Sequence, residues 1–337
     1  MTRHQFELSN LNVAFRSPAQ TVHAVRGVSF HVDKGETFAI VGESGSGKTV
    51  SMMAAMRLLQ SPPAHITADA MRFKGEDLQA VRQRDLWRYT GEKIAMVFQD
   101  ALTALNPVYT VGWQIGEMFR VHRPQMTRRE IRAASIALLT KVGIPEPERR
   151  LDDYPHQFSG GMRQRAMIAM GIALDPEVLI ADEPTTALDV TVQAQIMDLL
   201  QQLKDERQMS LILITHDLGL VAETADRVAI MYAGTVMETG TIRQVLGTPR
   251  HPYTLGLLGS RPQAIEKGDK LRPILGSPPN LAAAPRGCPF APRCTAAKPV
   301  CSEQFPPTVH VPSGQDVTCH VVAEEAGQGN RQPEVTT

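Results

Sequence analysis

Val41-Gly42-Glu43-Ser44-Gly45-Ser46-Gly47-Lys48-Thr49 is the stretch from which the rest of the chain can be read, because it satisfies G-x-x-x-x-G-K-[ST] in the setting that motif requires. Thr37-Phe38-Ala39-Ile40-Val41 before it predicts a short buried strand. Val50 to Leu59 after it, rich in Met, Ala and Leu, predicts a helix, so the order is strand, loop, helix. Gly42, Gly45 and Gly47 let backbone N–H groups turn inward as an anion nest, with Ser44 between them, at a helix N-terminus. Lys48 can reach terminal phosphates as a mobile point charge, and the Thr49 hydroxyl can ligate Mg²⁺. A bound nucleotide phosphate is the implied ligand.

The bulk numbers set limits around that reading. The chain has 337 residues, 42% hydrophobic and 21% charged, which suits one large globular domain plus a smaller one. Lys+Arg and Asp+Glu both total 35, so no global basic field advertises nucleic acid. No apolar run reaches the roughly 18–20 residues of a membrane-spanning helix. The opening MTRHQFELSNLNVAF lacks the apolar centre of a signal peptide, and a cytosolic chain that meets a membrane only through a partner or a surface contact is expected.

Along the chain, Leu11, Val13 and Phe15 alternate on one face, and a second run from Val25 to Val32 ends in the turn Asp33-Lys34-Gly35-Glu36; both predict antiparallel strands. Ile94 to Phe98, Val178 to Ala181 and Leu211 to Ile214 are apolar on both faces, as strands of a helix-covered parallel sheet are. Between the first two, Thr127 and Glu130 form a candidate capping box. Ile131, Ala134, Leu138 and Val142 form a stripe, and Gly143 is a stop, so a mainly helical insert is expected at about 100–158. Arg227 to Met231 and Thr235 to Glu238, around Ala233-Gly234, read as a closing hairpin. The expected organisation is an α/β nucleotide-binding domain over 1–248, a C-terminal extension over 249–322 and a frayed polar tail over 323–337.

Two further elements suit a nucleotide site. The strand Val178 to Ala181 ends in Asp182-Glu183: Asp182 can hold Mg²⁺ through its water shell, and Glu183 can orient or deprotonate the water that attacks a γ-phosphate. Ser159-Gly160-Gly161, after Phe158 and before an apolar helical run from Ala166 to Leu174, offers a second anion-binding helix start, or simply a capped helix with a glycine entry.

Taken together, these residues resemble the ATP-binding cassette family. Its nucleotide-binding subunits share the loop at Gly42 to Thr49, a glutamine after the next core strand (Gln99), the signature sequence (Phe158 to Met162), the acids Asp182-Glu183, the turn Ala187-Leu188-Asp189 and the histidine of Thr215-His216-Asp217. The resemblance covers about residues 6–245, and it implies a RecA-like phosphate-loop core with an antiparallel β subdomain. Phe158 and Met162 depart from the usual Leu-Ser-Gly-Gly-Gln. The resemblance further implies head-to-tail pairing of two cassettes, each ATP clamped between one phosphate loop and the other subunit's Ser159-Gly160-Gly161. Gln99 would sense Mg²⁺ and the attacking water, His216 would contact the γ-phosphate, Asp189 would face the dimer interface, and Phe15 would stack on adenine or belong to the core.

Phe98-Gln99-Asp100 with Thr103 to Pro107, Asp189 to Gln195, and His251-Pro252-Tyr253-Thr254 look like one branch, the D-type ATPase subunits of oligopeptide and dipeptide permeases. Gly276 to Asn280 and Gly287 to Phe290 carry the likeness to about Val322. That branch implies short peptides as cargo, an extracytoplasmic binding protein, two membrane permease subunits, a related F-type cassette as second subunit, and a place at the cytoplasmic face of the inner membrane; related branches carry nickel, glutathione or antimicrobial peptides. The four cysteines, Cys288, Cys294, Cys301 and Cys319, stand in the extension. Four soft thiols in a reducing compartment point to a metal centre. Gaps wider than those of close zinc pairs favour an iron–sulfur cluster, [4Fe-4S], as the branch also suggests. Zinc, with His310 or His320 as substitute ligands, and unliganded small core residues are the alternatives.

Overall fold

The computed structural model describes residues 4–186, 188–260, 273–283 and 285–329. Two compact units interleave along the sequence: Met1–Phe6, Val32–Thr37 and Arg72–Thr215 form the first, and Glu7–His31, Phe38–Met71 and His216–Thr337 the second. The extension after Thr248 therefore shares a unit with the phosphate loop.

In the first unit, Ile94–Val97, Val178–Asp182 and Ser210–Thr215 are parallel neighbours, in register from Ile94 opposite Val178 and from Val178 opposite Ser210. The latter two strands are buried at every residue, as unbroken apolar runs demand when helices cover both faces. Helices Val111–His122 and Arg128–Lys141 fall in the expected insert. The Thr127–Glu130 capping box is formed, and Gly143 ends that helix at φ +74°.

In the second unit, Phe15 of strand Phe6–Arg16 lies opposite Ala64 of the antiparallel strand Ala64–Thr67. Strand Thr37–Val41 runs parallel to Arg227–Tyr232. Arg227–Tyr232 turns through Ala233-Gly234, both at positive φ, into Thr235–Thr241, the geometry that matches strand twist in a two-residue hairpin. The extension then adds two short strands: Asp316–Thr318 pairs with Thr235–Thr241, and Thr308–His310 pairs with Asp316–Thr318. Helix His320–Gly329 follows, where the polar composition predicts a frayed tail from 323; Val322, buried on the small core of Val311, Val317 and Cys319, anchors its first turn. The expected tail beyond 329 lies outside the described residues.

Candidate nucleotide-binding site

In the second unit the phosphate loop leads into helix Lys48–Ala55, whose N-cap Gly47 supplies no side-chain acceptor. The helix dipole favours an anion at that N-terminus. Gly42 approaches the chain so closely that a Cβ would sit 2.1 Å from Met231 O and 2.7 Å from Ser46 Oγ. Gly45 has open space around it but a φ of +76°, which favours glycine for conformation rather than room. Lys48, only 5% exposed, donates through Nζ to Gly42 O at 2.8 Å and Glu43 O at 3.1 Å, so its ammonium is held over the loop's own carbonyls. Thr49 is half-buried, Phe15 is half-buried on its strand, and His216 is exposed at the start of the segment after Thr215.

In the first unit the strand Val178–Asp182 places Asp182 at its end, 2% exposed, and then bends. Glu183 follows at φ 42°, a left-handed conformation that costs a non-glycine residue about 1 kcal/mol and that clusters at active sites. Its N–H donates to Ile214 O at 2.8 Å. Its carboxylate Oε2 accepts two hydrogen bonds at 2.9 Å, from Gln99 Nε2 and from Thr186 Oγ1. Gln99 and Glu183, 84 residues apart in sequence, are thus brought into direct contact. Thr186 was not singled out in the sequence; its signal is a hydroxyl three residues after the acid in the same turn.

Helix Gly160–Gly171 starts at Ser159, whose Oγ accepts from Met162 N–H at 3.3 Å. Both departures in the signature are compatible with this geometry. Phe158 is buried, the role an apolar residue has there, and Met162 serves the cap with its backbone rather than its side chain. Ser159 and Gly160 are exposed. Gln99, Gly160, Gln164, Thr186 and Leu188 line one cavity of about 220 Å³. Asp189 caps helix Val190–Arg207 by accepting from Val192 N–H at 3.0 Å; Ala187 of the same turn lies outside the described residues.

In the extension, all four cysteines are free. Burial raises the Cys288 thiol to about 11 and pushes Cys294 and Cys319 upward as well. Cys288 N–H donates to Cys301 O at 2.7 Å, and Gly287 packs so tightly on Cys301 that a Cβ would lie 2.2 Å from its carbonyl oxygen. His310 bonds Asp316 through Nδ1 at 2.8 Å, while His320 Nε2 lies 2.9 Å from Gln304 O.

Comparison with known proteins agrees with this architecture. The ABC transporter family profile matches residues 25–186, and a second one, for the C-terminal region of oligopeptide/dipeptide transporters, matches residues 237–301. The chain is 49% identical to the dipeptide transport ATP-binding protein DppD of Bacillus subtilis (strain 168) over 319 residues, 95% of each protein. It is 48% identical to the oligopeptide transport ATP-binding protein OppD of the same organism, over 90% of this chain and 85% of that one. Among solved structures, the ATP-binding cassette MJ0796 with ADP and Pi superposes with a TM-score of 0.61 at 26% identity, covering 71% of this chain and 99% of that one. No helix among the described residues is long and apolar enough to cross a membrane. The chain belongs to the ABC transporter family, in the branch of its ATP-binding proteins that carries the oligopeptide/dipeptide transporter C-terminal region.

Proposed function

We propose that this chain hydrolyses ATP to energise the import of di- or oligopeptides, with Glu183 as the general base. The observation that carries the hydrolytic role is the pair of 2.9 Å hydrogen bonds from Gln99 and Thr186 to one oxygen of Glu183. They orient the carboxylate on a strained backbone, as a group must be oriented to take a proton from an attacking water. Gly42, Ser44, Gly45, Gly47 and Lys48 bind the phosphates. Thr49, Gln99 and Asp182 are oxygen donors suited to a hard cation, and Mg²⁺ held by them would neutralise charge on the β- and γ-phosphates. His216 meets the γ-phosphate, Phe15 the adenine, and Ser159, Gly160, Gly161 and Asp189 a second cassette. Replacing Glu183 by Gln keeps the shape and removes the base. Turnover should fall by about 10²–10⁴ with ATP binding retained, and a variant within threefold of wild type would refute the assignment.

The cargo and partners follow from the branch. Two membrane permease subunits, a related F-type cassette and, indirectly, an extracytoplasmic binding protein complete the machine, with this chain peripheral at the cytoplasmic face. In support, the insert exposes Leu102, Val108, Tyr109, Trp113 and Val121, an apolar set suited to a docking surface. Purification from solubilised membranes should bring down two polytopic subunits and a second cassette.

The cysteines suit a [4Fe-4S] cluster of structural role better than zinc. Zinc sites bring their ligands in close C-x₂₋₄-C pairs, whereas the gaps between Cys288, Cys294, Cys301 and Cys319 are all wider than that. Cys288, Cys294, Cys301 and Cys319 would hold the cluster, which when bound supplies a cross-link between distant segments. Protein purified anaerobically should contain iron and sulfide in near-equal amounts and show broad visible absorbance; zinc alone, or neither, would overturn this.

A further inference from the structure

His251-Pro252-Tyr253-Thr254 and the arginine between Cys288 and Cys294 have no part in the chemistry described so far, yet both reach the phosphate loop at a single residue, Glu43. The Glu43 N–H donates to Tyr253 Oη at 3.2 Å. The Glu43 carboxylate accepts from Arg293 Nη1 at both oxygens, at 2.9 and 3.0 Å. The Glu43 carbonyl in turn accepts from Lys48 Nζ at 3.1 Å. One residue of the loop is thus fixed at its N–H, its side chain and its carbonyl, twice by the extension and once by the phosphate-binding lysine.

The fastening is itself rigid. Arg293 ends the short 3₁₀ turn Ala291–Arg293, and its side chain is 7% exposed. It lies over the Tyr232 ring at 5.6 Å, donates to Tyr232 Oη at 3.1 Å, and donates through Nε to Leu275 O at 3.0 Å. Tyr232, Tyr253 and Phe290 pack around it with ring centroids 4.7 to 5.3 Å apart. His251 sets the Tyr253 helix by accepting Tyr253 N–H at Nδ1, 3.0 Å away. The pairing also answers an electrostatic problem. A carboxylate within a loop built for polyphosphate repels its ligand, and a guanidinium with both partners largely out of water cancels that repulsion with little screening.

We propose that Arg293 and Tyr253 are positioning residues for nucleotide binding: the extension holds the phosphate loop open through Glu43 and neutralises that carboxylate, so that the cysteine-bearing segment sets the affinity for ATP. This rests on the reading of Gly42–Thr49 as a phosphate site. The test uses the full chain, magnesium ATP and a fluorescent ATP analogue, with thermal unfolding as a control. Replacing Arg293 by Gln should weaken binding about tenfold, about 1.4 kcal/mol, raising KM for ATP with kcat changed less than twofold, and the loss should shrink as salt is raised. Removing the stranded carboxylate as well, in E43Q/R293Q, should restore most of the affinity, which a merely structural arginine would not allow. Tyr253→Phe, which keeps the ring, should raise KM about threefold, a fraction of the hydrogen-bond range, and serves if the arginine variants fold poorly. Wild-type binding with R293Q and Y253F both within a factor of 1.5 of it overturns the proposal, as does a loss that E43Q fails to relieve. Failure of the wild type to bind nucleotide overturns the phosphate-site reading instead.

Discussion

Gly42 and Gly45 are both glycines of the phosphate loop, and they should fail in different ways. An alanine Cβ at position 42 would lie 2.1 Å from Met231 O, 2.7 Å from Ser46 Oγ and 3.1 Å from Met231 C. Ordinary contact begins near 3.4 Å, so the loop or the strand Arg227–Tyr232 must yield by more than an ångström, and the nearest obstacle is backbone that cannot rotate away. Displacements of about 1 Å cost on the order of 10²-fold where groups must converge on a ligand, and overpacking costs about 1–3 kcal/mol of stability. G42A should therefore bind ATP about 100-fold more weakly and unfold several degrees earlier. At Gly45 nothing lies within 4 Å and only the φ of +76° is at stake, worth about 1 kcal/mol, so G45A should lose no more than about tenfold. Titration calorimetry with ATP and a thermal melt on both proteins would decide. A G42A protein that binds within threefold of wild type, or one that outperforms G45A, would refute the claim that steric approach rather than conformation governs position 42.

Other outcomes follow from neighbouring features. His251 is buried, and its imidazole is held neutral down to about pH 4. Because its folded value lies below the ordinary 6.5, its contribution is complete above pH 6.5 and is lost as pH falls from there toward 4, by about 3 kcal/mol. Burial holds Glu238 above the usual carboxylate range, and its protonation opposes part of that loss. Urea unfolding of wild type and His251→Asn between pH 7 and 4 should show the smaller pH dependence in the variant; equal slopes would count against a buried neutral imidazole. In the signature, Met162→Gln should change ATP turnover less than threefold because only the backbone of Met162 serves the cap. Ser159→Ala should destabilise its helix by about 1 kcal/mol in chemical denaturation and lower turnover more than M162Q does; the reverse order would show that the side chain at 162 matters.

The parts of the fold that could be read in advance are those whose physics is local. Apolar runs such as Val178 to Ala181 are buried on both faces whatever surrounds them, the Thr127–Glu130 box closes on itself, and Ala233-Gly234 can only turn. Within the site, the phosphate loop, Asp182 and Glu183 announce themselves by spacing. Thr186 does not, since a hydroxyl in a Pro-Thr-Thr turn has many uses and only the folded turn aims it at Glu183. Arg293 and Glu43 stand 250 residues apart, and no local pattern joins them. Glu238 was equally hidden. In a hairpin strand it reads as a solvent-facing residue, yet it is fully buried and accepts from Arg250 N–H, His251 N–H and Gln315 Nε2.

That buried carboxylate and the strands beside it bear on how such a chain can be taken apart. Cutting after Thr248, where the cassette motifs end, would strip Glu238 of those three donors and of the strand paired with it at Val317. The same cut would bare Thr235–Thr241 as a new edge, with the backbone groups now paired to Asp316–Thr318 offered to any passing strand. A truncated cassette should aggregate rather than work as a smaller ATPase. Deletion studies that read lost activity as proof of a regulatory tail would here be measuring a broken sheet, and point substitutions at Glu43, Tyr253 or Arg293 are the cleaner scalpel.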